Sequence, residues 1–171
     1  MRKRLGQDFF NRKTILVARE LLGKFLVRER EGVREAYMIT EVEVYDGSLD
    51  KASHASRGKT KRNALMFGEA GYWYVYFTYG MHWMLNVVTR EEGYPAAVLI
   101  RGVEGISGPA RLTKRFGIDK NLNGLSVSKK SGLWIEDRGV EIVSRKIKKG
   151  PRVGIASAGP EWAAKPWRFR M

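Results

Sequence analysis

The sequence predicts one α+β domain built on a largely antiparallel sheet, and three observations support this. The chain has 171 residues, which suffices for one domain with its own core and leaves little room for two. Its apolar positions form short segments, most with the period of two that is typical of strands and many separated by Gly-containing turns. Repeats, linkers and low-complexity tracts are not evident, so residues 1–171 are expected to fold as a single domain.

The first half of the chain predicts a helix, a pair of strands and a basic loop. Asn11 is a good N-cap for a helix that Gly23 would end. A Glu31-Gly32 turn separates the two strands, which we expect to pair antiparallel. In order, the predicted segments are a helix over residues 12–22, strands over 24–30 and 33–45, a polar loop over 46–62 and a helical turn over 63–66.

The second half predicts further strands and one helix. Tyr79-Gly80 reads as the turn of a hairpin, and Pro109 lies near the first turn of a helix. The predicted strands cover residues 72–78, 81–89, 95–104, 133–137, 139–147 and 151–157, the helix covers 110–118, and residues 158–171 are expected to form a tail.

Net charge is the strongest global feature. Lys and Arg number 32 against 18 Asp and Glu, which gives a formal net charge of +14. A folded domain this basic most often binds a polyanion, although a generally basic proteome or a solubility device would also explain the charge. Binding through this charge would depend strongly on salt, because each neutralised phosphate releases counterions.

Composition also excludes several classes of protein. The chain has no cysteine, which excludes disulfides, thiolate metal sites and a cysteine nucleophile. The N-terminus is basic but lacks the apolar region of a signal peptide, and no apolar run reaches the ~18 residues of a transmembrane helix. With only two histidines, a metal site is not expected. These features fit a cytosolic protein that binds no metal.

The segment ITEVEVY places two carboxylates on one face of a strand. Alternation puts Ile39, Glu41, Glu43 and Tyr45 on one side, and Val42 with its even-numbered neighbours on a core side. The two glutamates would lie about 7 Å apart along the strand. They are either ordinary surface glutamates or include a base that activates water or stabilises a cationic sugar, and the pattern does not say which glutamate.

A basic loop and an aromatic hairpin follow this strand. The loop carries His54 and five basic residues, and basic side chains beside aromatic rings are typical of sites that grip bases. In the hairpin we expect Val75 and Phe77 to lie in the core and the alternate tyrosines to lie opposite. Tyr79 falls beside Gly80 at the expected tip, where a large exposed ring suits a wedge that enters a base stack.

Three functional classes stay open on these patterns alone. The first is a nucleic-acid enzyme, and the second is a non-catalytic, basic nucleic-acid-binding module whose glutamates are merely solvated. The third is a sugar hydrolase that uses Glu41 and Glu43 as an acid–base pair, which leaves the +14 charge unexplained. Dinucleotide, Walker, zinc-protease and serine-hydrolase motifs are missing from the sequence.

Several long motifs in order resemble one family. EVEVY, SHASRGKTKRN and ALMFGEAGYWYVYFTYGMHWMLNVV, followed by VLIRGVE, GPARLTKRFGI and EWAAKPWRF, are similar to the 3-methyladenine DNA glycosylases of the alkyladenine type. The resemblance covers nearly the whole chain from RLGQDFF onward. It implies a curved sheet with flanking helices and a protruding β-hairpin that inserts into DNA.

The resemblance also implies roles for seven residues. Glu43 falls on the catalytic carboxylate that activates water, and Arg101 on a residue that helps to hold that water and carboxylate. The other five positions serve the flipped nucleotide: Tyr45 and Tyr76 stack on the base, His54 hydrogen-bonds near the pocket, Asn86 disfavours the amine of guanine, and Tyr79 is the intercalating wedge.

The activity implied by the resemblance is removal of damaged purines from duplex DNA. The enzyme would flip the nucleotide out of the helix and hydrolyse the N-glycosidic bond with water, leaving an uncut abasic site. Such an enzyme would be a monomer that needs no metal or organic cofactor. It would be cytoplasmic and associated with the nucleoid in a prokaryote, or nuclear in a eukaryote.

Overall fold

The computed structural model describes residues 2–171, which contain four α-helices and ten strands. The helices are α1 (Gln7–Phe10), α2 (Thr14–Leu21), α3 (Pro109–Phe116) and α4 (Pro160–Ala164). The strands are β1 (Lys3–Arg4), β2 (Phe25–Arg30), β3 (Val33–Asp46), β4 (Trp73–Thr78), β5 (His82–Val88), β6 (Ala96–Val103), β7 (Ile106–Ser107), β8 (Leu133–Asp137), β9 (Lys148–Gly150) and β10 (Arg168–Arg170). No helix in this part of the chain is long and apolar enough to cross a membrane.

All ten strands belong to one antiparallel sheet. Its main order is β1-β8-β2-β3-β6-β5-β4, with β7 paired to β6 and β10 paired to both β3 and β9. Helix α2 packs against β3 and β6, and α3 packs against β5 and β6. The predicted α+β class with an antiparallel sheet is therefore confirmed.

Strand β3 is the longest strand and has partners along its whole length. Its first half pairs with β2, and its second half pairs with β6 on one side and β10 on the other. Ile39, Val42 and Val44 are all fully buried in the same core, although strict alternation predicts Ile39 on the opposite face. Register shifts on both sides of Glu41 explain the difference, because an extra residue in a strand switches the face of the residues beyond it.

The two longer helices follow their sequence signals with one correction. Helix α3 begins with Pro109 and ends at Gly117, whose positive φ of 55° closes the helix in the left-handed conformation that glycine favours. Helix α2 begins at Thr14 with Lys13 as its N-cap, so the prediction that Asn11 caps this helix is wrong. Asn11 instead ends the short helix α1, which the apolar pattern did not predict because it is only one turn long.

The C-terminal region differs most from the prediction. Residues 139–147 and 151–157 do not form the predicted strands; the short strands of this region are β9 and β10. Val143 is 51% exposed, so the apolar alternation around it does not face a core. Part of the predicted tail instead pairs with β3, placing Arg168 opposite Glu43. This pairing joins positions far apart in sequence, and local periodicity carries no information about it.

Candidate active site

One cavity brings together all seven residues singled out in the sequence. Its volume is about 160 Å³, and it opens to solvent on the face of strands β3, β6, β5 and β4. An apolar cavity of about 150 Å³ can hold a benzene molecule, so an open cavity of this size suits a flat base. The seven residues are Glu43, Tyr45, His54, Tyr76, Tyr79, Asn86 and Arg101.

Strand alternation explains how these side chains meet. Each of the four neighbouring strands contributes residues two positions apart, which therefore point to the same face of the sheet. The contributing pairs are Glu43 and Tyr45 on β3, Leu99 and Arg101 on β6, Met84 and Asn86 on β5, and Tyr74 and Tyr76 on β4. His54 comes from a 3₁₀ turn, His54–Arg57, and Tyr79 from the turn between β4 and β5.

Glu43 is fully buried, and both of its carboxylate oxygens are bonded. The Val153 N–H donates to Oε1 at 2.8 Å, and the Tyr45 hydroxyl donates to Oε2 at 3.0 Å. Arg101 Nε lies 3.5 Å from Oε1. Burial raises the pKa of the Glu43 carboxyl, while Arg101, Val153 and Tyr45 act in the opposite direction because they stabilise the charged form.

Glu41 shares a partner with Glu43 but not its surroundings. Arg101 Nε lies 3.1 Å from Glu41 Oε1, and Arg168 lies 3.5 Å from the same oxygen. Glu41 is not one of the residues that line the cavity. The two glutamates therefore meet at one guanidinium and do not face each other across the cavity, as an acid–base pair of a sugar hydrolase would.

Aromatic rings make up much of the cavity lining. The Tyr74 hydroxyl lies 2.9 Å from His54 Nδ1, and the His54 ring meets the Tyr76 ring edge-on at 4.5 Å between centroids. Burial raises the pKa of Tyr76 to about 12 and that of Tyr45 well above its usual value, so both hydroxyls stay protonated at neutral pH. Neutral rings that are fixed in place suit stacking on a flat ligand.

Asn86 also lines the cavity. Its side chain is buried, and its Nδ2 donates to the Tyr74 carbonyl oxygen at 3.1 Å. This bond ties β5 to β4 and fixes the side-chain amide against the cavity wall.

The turn after β4 carries an exposed apolar tip. Tyr79 is 75% exposed and has a positive φ of 53°, and Gly80 follows at 63°. Positive φ at both central residues is what a type I′ hairpin turn requires, and tyrosine adopts it only with strain. Phe77 was predicted to lie in the core, but it is 43% exposed and packs against Trp83 at 4.8 Å between ring centroids.

Sequence reasoning did not find a buried ion pair next to the cavity. Arg152 and Asp50 have fully buried side chains and make two bonds, at 2.6 and 2.8 Å. Arg152 also donates to the Val44 carbonyl oxygen at 2.8 Å and lies 4.8 Å from the centre of the Tyr45 ring. This pair holds Arg152 in place, and the next residue in the chain, Val153, contacts Glu43. No motif in the sequence signals it, since its members are 102 positions apart.

The structure gives no sign of a metal centre in the described residues. Within 2–171, no three His, Asp or Glu side chains cluster in a way that could hold a metal ion.

Comparisons with known proteins place the chain in one family. The family model described as methylpurine-DNA glycosylase matches residues 8–107 and 104–171. A protein of Methanocella arvoryzae is 44% identical over 96% of this chain and 90% of its own length, and one of Desulfitobacterium hafniense is 42% identical over 99% and 95%. A protein of Anaeromyxobacter dehalogenans is 45% identical over 98% and 83%. All three carry the name "Putative 3-methyladenine DNA glycosylase".

A family match over nearly the whole chain, together with relatives more than 40% identical, confirms the resemblance noted in the sequence. This chain belongs to the methylpurine-DNA glycosylase family.

Proposed function

We propose that this protein is a DNA glycosylase that removes damaged purines, such as 3-methyladenine, from duplex DNA. The observation that carries the proposal is the buried Glu43 carboxylate beneath an open cavity walled by tyrosines. Family membership and the names of the relatives support the same activity. The net charge of +14 supports a polyanionic substrate.

The substrate nucleotide must leave the helix before it can react, because the glycosidic bond is not accessible inside the base stack. In the proposed complex the flipped base lies between Tyr45 and Tyr76, and Tyr79 fills the space that it leaves. The exposure of Tyr79 at the hairpin tip supports this role. The fixed amide of Asn86 would oppose a purine with an extra exocyclic amine, as in guanine.

Glu43 then acts on both the sugar and the attacking water. As the bond breaks, the sugar gains the character of an oxocarbenium ion, and a carboxylate nearby stabilises this positive charge. The same carboxylate accepts a proton from the water that attacks the anomeric carbon. Arg101, which lies between Glu41 and Glu43, holds the carboxylate in place.

Water is the expected nucleophile. The cavity lining within the described residues includes no lysine that could form a Schiff base with the sugar. The expected product is therefore an abasic site in an uncut strand. That the enzyme works as a monomer without a cofactor stays a prediction.

The proposal is tested by incubating the purified protein with duplexes that each carry one hypoxanthine, ethenoadenine or methylated purine. Abasic sites are scored by strand cleavage in alkali, and untreated aliquots show whether the strand is cut without alkali. Excision of at least one lesion, with the strand intact before alkali, supports the proposal. Tight binding to all duplexes without excision of any base would instead indicate a non-catalytic DNA-binding module.

A further inference from the structure

A positive charge lies directly against one of the two stacking tyrosines. The guanidinium carbon of Arg62 is 5.6 Å from the centre of the Tyr76 ring, within the distance of about 6 Å over which a cation interacts with an aromatic face. Arg62 Nη2 donates to the Phe77 carbonyl oxygen at 3.0 Å, which ties the guanidinium to strand β4. Tyr76 lines the cavity and Arg62 does not.

The charges around the base of the cavity offset each other. Glu43 and Glu41 both contact Arg101, and Glu41 also contacts Arg168. Two carboxylates thus face two guanidinium groups, and the group as a whole is neutral. A cationic base in the cavity would therefore not be attracted by a net negative charge on this group.

The guanidinium beside the other stacking tyrosine is neutralised as well. Arg152 lies 4.8 Å from the centre of the Tyr45 ring, but its two bonds to Asp50 offset its charge. Arg62, in contrast, makes no ion pair with any carboxylate in residues 2–171. Among the guanidinium groups that the described chain places next to the two stacking rings, the charge of Arg62 is the one left uncompensated.

We propose that Arg62 is a specificity-determining residue that lowers the excision of cationic purine lesions relative to neutral ones. The inference rests on the proposed glycosylase function. A base stacked on the far face of Tyr76 would lie about 9 Å from the guanidinium, given a contact of about 3.5 Å between ring and base. An N-alkylated purinium ion is repelled at this distance and loses part of the attraction that a tyrosine face offers to a cation. A neutral base such as hypoxanthine or ethenoadenine keeps its full stacking contact.

The state of His54 is consistent with this bias. Loss of hydration lowers the pKa of the imidazole, and the charge of Arg62 lowers it further. The ring is therefore neutral at pH 7 and adds no second cation beside Tyr76.

A competition assay tests the proposal, because effects common to both substrates cancel. Two duplexes of the same sequence, one with 7-methylguanine and one with ethenoadenine, compete for limiting enzyme, and the ratio of their excision rates is measured. The enzyme carries Arg62 or the substitutions Arg62→Gln and Arg62→Glu. We expect the ratio of cationic to neutral excision to rise about three- to tenfold with Gln, and further with Glu. Raising the salt concentration should move the wild-type ratio toward that of Arg62→Gln, since Arg62 is exposed.

Lys61→Gln is the matched control. Lys61 is the adjacent residue, is also exposed and carries the same charge, but it does not lie over Tyr76. Removal of the Lys61 charge should slow both excisions by the same factor and leave the ratio unchanged. A constant ratio through the Arg62 series, or the same ratio change in Lys61→Gln, would overturn the specificity role and leave the glycosylase proposal intact. Wild-type enzyme that excises neither base would overturn the specificity role, and failure to excise hypoxanthine as well would overturn the glycosylase proposal.

Discussion

Glu43 combines complete burial with three partners, and this decides how its charge responds to pH. Burial is the largest influence and raises its pKa, so the native protein keeps the proton to higher pH than the unfolded chain does. Above the raised pKa, the buried charge therefore lowers the free energy of unfolding. This destabilisation disappears as pH falls below the ordinary glutamate range. A general base must be unprotonated, so the proposed activity is lost as pH falls through the raised pKa.

Tyr45→Phe separates the hydrogen bond of the hydroxyl to Glu43 from the proposed stacking of the ring on the base. The change removes the hydroxyl that donates to Glu43 Oε2 at 3.0 Å and keeps the ring. Because that bond lowers the pKa of Glu43, we expect the acidic limb of the single-turnover pH–rate profile to move to higher pH, with about tenfold slower excision near neutrality. Affinity for lesion-containing DNA should change little. An acidic limb that stays in place would show that the hydroxyl does not tune Glu43.

Single side chains also show what the sequence could and could not predict about the site. Glu43, Tyr45 and Tyr76 are recognisable because each lies in a segment with clear alternation and a familiar motif. Val153 was missed because it acts through its backbone N–H, which any residue except proline provides. Asp50 and Arg152 were missed because their contact depends on the fold and not on local spacing.

The β4–β5 hairpin is the element that the proposal assigns to the DNA. Tyr79→Ala should weaken binding to lesion duplexes and slow base flipping, because no ring then fills the vacated stack. Stability to urea should change by less than about 0.5 kcal/mol, since Tyr79 is 75% exposed. Stopped-flow fluorescence of a reporter base beside the lesion measures flipping directly. Unchanged flipping and affinity would contradict the role of the wedge.

The ion pair between Asp50 and Arg152 connects the loop that follows β3 to the segment that precedes Val153. Arg152 also bonds to β3 itself, through the Val44 carbonyl oxygen. Removing one member leaves a buried, unpaired charge, so Asp50→Asn should cost about 3–5 kcal/mol in the free energy of unfolding. Removing both with Asp50→Asn and Arg152→Met should cost less than the two single changes added together. Urea unfolding of the four proteins measures this coupling, and strictly additive costs would show that the pair is not a unit.

Elements with local signals were predicted well, and those that depend on distant partners were not. Strands β2 and β3 follow their alternation and the turn at Glu31-Gly32, and α3 follows its proline and glycine. The strands β9 and β10 are three residues each and exist because β3 offers β10 an unpaired edge. Segments this short have too few residues to display a period of two.

Across the whole molecule, the charge of +14 predicts DNA affinity that falls steeply with salt. We expect the loop beside the cavity to bind phosphates. Lys59→Gln with Lys61→Gln should reduce the slope of log K against log salt concentration by about 0.9 for each phosphate that the variant no longer neutralises. The measurement is a salt titration of binding to an undamaged duplex.

Lys129→Gln with Lys130→Gln is the control for this experiment. These two exposed lysines lie in the 3₁₀ turn before β8 and do not line the cavity. The control should leave the slope unchanged. An equal reduction in both double variants would mean that the loop has no special part in binding.

Single-turnover excision of ethenoadenine by wild type, Glu43→Gln and Glu41→Gln tests most directly whether the buried Glu43 carboxylate activates the attacking water and stabilises the sugar cation. Glutamine keeps an oxygen for the Val153 N–H and removes a charge that burial disfavours, so the variant should fold and bind DNA. We predict that Glu43→Gln slows excision by at least about 10²–10⁴-fold with affinity retained, whereas Glu41→Gln has a much smaller effect. Full activity in Glu43→Gln, or equal losses in both variants, would contradict this assignment.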